Sequence, residues 1–155
     1  MSAIHDAAAN GDVAKVKSLI NASSMVIEEV DSRDFIQERP LHVAAKRGHV
    51  AVIDLLLKSG ANINGTSGFG TPLHDAANMG KMQAVEFLVK NGANVNAVGA
   101  EGHTPLTIAQ LQGRDAIVQY LIAHGAITKK AGCMGVLLFV VCCPTLLLCA
   151  RVIFQ

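Results

Sequence analysis

Three histidines, His5, His42 and His74, recur in one local setting: each follows an isoleucine or leucine and stands two positions before an alanine pair. Imidazoles in series can ligate zinc or act as general bases, but either role needs carboxylates or thiolates converging on the same point. The three stack along one edge without converging carboxylates or cysteines. His49, His103 and His124 are scattered, and no cysteine precedes Cys133. Serine and cysteine have no histidine and aspartate set beside them in register, so nucleophilic catalysis lacks its parts. The run Gly65-Thr66-Ser67-Gly68-Phe69-Gly70 is rich enough in glycine to suggest a phosphate cradle. A cradle requires G-x-x-x-x-G-K-[ST], or G-x-G-x-x-G behind a buried strand, and neither pattern is present. These residues predict no enzyme, no cofactor, no metal and no small-molecule substrate.

The elements that carry these residues are short and heavily punctuated. In Gly70–Ala97 (GTPLHDAANMGKMQAVEFLVKNGANVNA), Thr71 is an N-cap residue and Pro72 suits the first helical position. Gly80 closes a helix of about two turns. A second helix follows, with Met82, Val85, Leu88 and Val89 on one face, and Gly92 closes it. Helices this short are unstable alone in water and need neighbours. The neighbours are copies. Leu41-His42, Leu73-His74 and Leu106-Thr107 align, with Ile4-His5 upstream, and the glycines Gly11, Gly48, Gly80 and Gly113 recur at intervals of 37, 32 and 33 residues. Leu19-Ile20, Leu56-Leu57, Leu88-Val89 and Leu121-Ile122 keep the same register. A period near 33 built of a turn and two short helices predicts a solenoid, in which each unit buries its apolar face by stacking.

The strings RPLHVAAKRGHVAVIDLLLKSGANIN, TPLHDAANMGKMQAVEFLVKNGANVNA and TPLTIAQLQGRDAIVQYLIAHGA resemble ankyrin repeats, over residues 3 to about 128. The resemblance implies an all-α solenoid of four units (about 3–24, 35–65, 66–97 and 100–128) in a domain spanning 1–128. First helices would line a concave face and second helices a convex one, with β-hairpin fingers projecting between units. It also implies that His5, His42 and His74 hydrogen-bond the backbone of the neighbouring loop. The paired alanines fit, since small side chains let inner helices approach closely.

Departures from the pattern are local. Unit 1 has Ser23-Ser24 where later units have Gly-Ala, as an N-terminal cap would. Four extra residues lie within Asn21–Glu38 and either lengthen a helix or enlarge the first finger. The finger Thr66–Phe69 is one residue short, which predicts a distorted hairpin. Unit 4 carries Thr107 and Gln110 in place of histidine and alanine, and reads as a C-terminal cap. Asn64 and Asn96, at the finger bases, are placed for turn hydrogen bonds.

The composition is 51% apolar and 16% charged with a net charge of +1, and the apolar content is uneven. Residues 131–150 (AGCMGVLLFVVCCPTLLLCA) carry no charge, with Lys129-Lys130 before them and Arg151 after. About 20 helical residues span roughly 30 Å, the thickness of a bilayer's hydrocarbon core. Pro144 would kink such a helix without forbidding it. With five residues following, the segment reads as a tail anchor, a hydrophobic C-terminal helix that leaves the repeats on the cytosolic side of a single-pass membrane protein. The alternatives are a segment docked on the last repeat of a cytoplasmic adaptor or inhibitor, or a terminus without selected function. Cys133, beside the lysines, is the candidate for acylation. A cysteine-free body suits a reducing compartment, and the first residues, MSAIHDAAANGD, do not form a signal peptide.

A balanced charge over the repeats and a lack of tryptophan argue against nucleic acid as partner. The expected partner is another protein, contacted by finger tips and inner-helix ends. The resemblance assigns this role to Phe35, Ile36 and Glu38 on the first finger, Phe69 on the second, and Ala100, Glu101 and His103 on the third. On the inner helices it falls to Lys46, Arg47, Asn78, Met79, Leu111 and Gln112. A surface running from basic to apolar, with aromatic tips, predicts a partner segment carrying acidic and apolar residues.

Overall fold

A computed structural model describes residues 3–23 and 38–128. Eight α-helices follow in order: α1 (Ala3–Asn10), α2 (Val13–Ala22), α3 (Pro40–Arg47), α4 (Val50–Lys58), α5 (Pro72–Asn78), α6 (Met82–Lys90), α7 (Pro105–Leu111) and α8 (Asp115–Ala123). Proline occupies the start of α3, α5 and α7, where no N–H is required. Asp12 caps α2 by accepting from the Lys15 N–H at 3.0 Å. At the end of α3 the chain reverses through Gly48, whose φ of +83° is left-handed. A side chain there would be strained.

The odd-numbered helices form an inner layer, stacked α1 on α3 on α5 on α7, and the even-numbered helices form the outer layer. Between the layers lies a core that includes Ile4, Ile53, Leu56, Leu73, Leu88, Leu106 and Leu121, all essentially without solvent contact. Each such side chain contributes on the order of 1.5–3 kcal/mol on burial. Ala7-Ala8, Ala44-Ala45 and Ala76-Ala77 are also buried, so the inner helices approach through methyl groups. The helix-pair units expected from the sequence are present.

The fingers differ from expectation. Among the described residues no strand forms, and the fingers are tight turns. In the second finger Ser67 and Gly70 exchange backbone hydrogen bonds, Ser67 N–H to the Gly70 carbonyl at 2.7 Å and the reverse at 3.2 Å. The short finger therefore closes cleanly. The irregularity falls on the longer third finger, a 3-10 turn at Ala100–Gly102 closed by Gly99 N–H to the His103 carbonyl at 2.8 Å. Its extra residue forces Glu101 to a φ of +57°, the one positive φ outside glycine among the described residues.

Two features expected from the sequence lie outside the described residues: the first finger with Phe35 and Ile36, and the apolar segment 131–150 with Cys133. Among the described residues no helix is long and apolar enough to cross a membrane.

Candidate functional site

The repeated histidines hold each finger to the inner helix of the unit before it. His5 Nε2 lies 2.9 Å from the Glu38 carbonyl, His42 Nε2 3.1 Å from that of Gly70, and His74 Nε2 3.2 Å from that of His103. At His74 the tautomer follows from its other nitrogen. Nδ1 accepts the Thr71 N–H at 3.1 Å, with the Thr71 hydroxyl 2.8 Å away, so Nε2 carries the proton and donates. Burial lowers the pKa of His74 against the pull of the His103 and Ala97 carbonyls. His42 falls to about 4, chiefly through burial, with the Arg39 charge adding and the Gly70 and Gly65 carbonyls opposing. The His42 and His74 rings are neutral fasteners. In unit 4, where Thr107 replaces the histidine, its hydroxyl turns back to the Thr104 carbonyl at 2.8 Å. His49, unassigned from sequence, fastens the other edge, with Nε2 3.0 Å from the Ala9 carbonyl.

Asparagines do the same between outer loops. Asn94 Oδ1 accepts the Asn96 N–H at 3.0 Å within its own turn. Asn64 and Asn96 take part in such turns through their N–H groups, as expected, while their side chains bridge units. Asn64 Oδ1 accepts the Asn94 N–H at 2.9 Å, and Asn96 accepts the Ile127 N–H at 2.8 Å while donating to the Gly125 carbonyl at 3.0 Å.

Fingers two and three touch where Ala100 N–H donates to the Phe69 carbonyl at 3.1 Å. Gly99 permits this approach, since a Cβ there would sit 2.5 Å from the Phe69 oxygen. Beneath them opens a groove of about 450 Å³ lined by Gly68, Phe69, Asn78, Ala100, Glu101, His103, Ile108, Leu111 and Gln112. Seven of the residues picked from sequence thus share one hollow, joined by Gly68 and Ile108, which were not picked. Phe69 is 51% exposed and Leu111 70%. Met79, which caps α5 just after Asn78, is exposed but does not line the groove. The Glu101 carboxylate lies 3.7 Å from His103 Nε2 at the rim.

The remaining predicted contacts separate from this groove. Glu38 is a correction: it is 6% exposed, and its carboxylate holds Lys46 Nζ at 2.7 Å. Both charges are engaged inside the chain, because a carboxylate so nearly buried requires a partner. Arg47 instead lines a different hollow, with Lys81, at the turn between inner and outer layers.

One residue with no sequence assignment stands out beside the groove. Asp75 is 4% exposed and its Oδ2 has no hydrogen-bond partner. Burial pushes its pKa up to about 7, the Glu38 charge adding and the Lys46 charge opposing. In the aligned repeats Asp75 occupies the position of Asp6, Val43 and Ile108, and of the two aspartates Asp6 is exposed and Asp75 buried, a difference that stacking makes. Among the described residues no group of three or more histidine, cysteine, aspartate or glutamate side chains is arranged to hold a metal.

The family described as ankyrin repeats (3 copies) matches residues 1–67 and 64–131. The chain is an ankyrin-repeat protein. Comparison with curated proteins finds no match. Ankyrin repeats are interaction modules that bind other proteins, and the charge and shape of this ankyrin groove bear on what it can hold.

Proposed function

We propose that this ankyrin-repeat chain binds a segment of another protein in the groove between fingers two and three, and performs no chemistry of its own. The observation that carries this reading is the convergence of an exposed aromatic finger tip, Phe69, with the exposed Leu111 and with Asn78 and Gln112 on adjacent inner helices. Exposed apolar side chains over a rigid helical floor, rimmed by polar groups such as Glu101 and His103, are the anatomy of an interface centre. In this reading the protein positions or masks its partner. It does so at a membrane surface, held by residues 131–150, whose uncharged run between Lys129-Lys130 and Arg151 supports insertion.

The test is a cross-linking pull-down comparing wild type with Phe69→Ala and Leu111→Ala combined. Interface anchors each contribute on the order of 1–2 kcal/mol or more, so capture should fall at least tenfold. Partners captured equally by the double variant would remove the groove from the contact surface.

A further inference from the structure

On the inner face of the stack, residues three and four apart on one helix are neighbours. Asp75 therefore shares a face with Asn78 and Met79, and the row above it in register is Lys46, Asn78 and Leu111. Within its own row it lies between Val43 on α3 and Ile108 on α7, and Ile108 lines the groove. Asp75 does not line the groove itself, but two of its neighbours do, Asn78 one turn along α5 and Ile108 across on α7. On the side away from the groove stand Glu38 and Lys46, bonded to each other at 2.7 Å. Two carboxyl groups thus share one ammonium. Glu38 takes it, and Asp75 Oδ2 is left without a partner although the residue is 96% removed from solvent. A carboxyl group so placed either keeps its proton or takes a cation from outside the described residues.

From the unpartnered Asp75 carboxyl and its position between Ile108 and the Glu38–Lys46 pair, we infer that the groove recognises a protein segment that delivers one lysine or arginine to Asp75, beside an apolar residue seated against Phe69 and Leu111. This rests on the groove being the protein-binding site, and it replaces the acidic partner predicted from Lys46 and Arg47. Lys46 is spent on Glu38, and Arg47 lies outside the groove. The last torsion of an aspartate is broad, so either oxygen can turn toward the arriving cation. Because Asp75 is held partly protonated near neutral pH, capture of a cation expels that proton. The other ionisable groups on the elements packed around α5 are Arg39, His42, Lys46 and Arg47 at α3, Glu86 and Lys90 on the outer helix α6, and Glu101 and His103 on the third finger, while α7 carries none; Glu38 precedes α3, and His74 is on α5 itself.

The test is selection of a random twelve-residue peptide library, displayed on phage, against the full chain. The expected binders share a lysine or arginine at a fixed distance from an apolar residue. Their affinity should fall roughly tenfold to a hundredfold on Asp75→Asn and also on Phe69→Ala. It should be stronger at pH 8 than at pH 6 for wild type, and by a larger factor than for Asp75→Asn, which keeps the Glu101–His103 pair at the rim. The asparagine is isosteric, and a matching amide NMR spectrum checks that the variant is folded. Binders that need Phe69 but ignore Asp75→Asn, or that carry an acidic residue in place of the cation, overturn the inference and leave the groove reading standing. Binders indifferent to both substitutions, or a library that yields none, overturn both.

Discussion

A buried aspartate between Val43 and Ile108 shows how a repeat protein separates scaffold from recognition. Asp75 has a folded pKa of about 7 against an ordinary 3.8, so the folded state holds its proton more tightly than the unfolded state does. Its contribution to stability is complete below the unfolded value and is lost as pH rises through about 7. Replacing it by leucine, in keeping with Val43 and Ile108, should therefore stabilise the stack by on the order of 2–4 kcal/mol at pH 8 and by little near pH 4. Chemical denaturation at the two pH values checks this, and an equal effect at both would show that Asp75 is not held protonated. The histidines obey the opposite sign. His42, depressed to about 4, contributes stability that is present above its ordinary 6.5 and disappears as pH falls through about 4. Their register and role could be read from the sequence, since three copies in one setting without converging ligands leave a structural task. The fate of Glu38 could not, because its burial depends on packing against residues distant in sequence.

At the level of the element, the fingers carry the groove and the inner helices supply its floor. The second finger closes on two reciprocal backbone bonds, and the third leans on it through Ala100 and the Phe69 carbonyl. That contact exists because Gly99 has no side chain. Gly99→Ala would place a methyl 2.5 Å from the Phe69 oxygen. The expected result is a third finger displaced from the second at a cost of about 1–3 kcal/mol, with the helices intact. Faster hydrogen exchange at the Ala100 amide, against unchanged exchange in α5 and α7, would report it. Unchanged exchange at Ala100 would show that the fingers do not depend on this approach. The sequence located the fingers by their glycines, yet it placed the irregularity in the shorter one. Two strand-like backbone bonds close with a two-residue turn more easily than with three, and that preference is settled only when both arms meet.

Taken whole, the molecule is a one-dimensional stack in which each unit is stabilised by its neighbours and the last is finished differently from the others. Gln110, Gln112, Arg114 and Asp115 are exposed on unit 4, and Thr107 bonds within its own turn. Leu111, Ile122 and Ile127 are exposed there as well. Ending the chain after Lys130 should leave the helical signal intact and the unfolding midpoint within about 0.5 kcal/mol of the full chain, the range of changes away from the core. A larger loss would favour the apolar segment docked on the last repeat. The same truncation tests membrane attachment. In alkaline carbonate extraction the full chain should remain with the pellet and the shortened chain be released, and release of both would end the proposal of an anchor.

The sequence by itself determined the repeats, the helix ends and the layer each helix occupies, because capping, turn chemistry and apolar periodicity act over a few residues and recur four times. It also named most of the groove's lining, since those residues sit at fixed register positions. Tertiary structure alone decided which charges remain available. Lys46 looked free until folding brought Glu38 to it, and Asp75 looked ordinary until stacking removed its water without providing a partner. Charge state depends on what is excluded as well as what is near, and both are properties of the assembled stack.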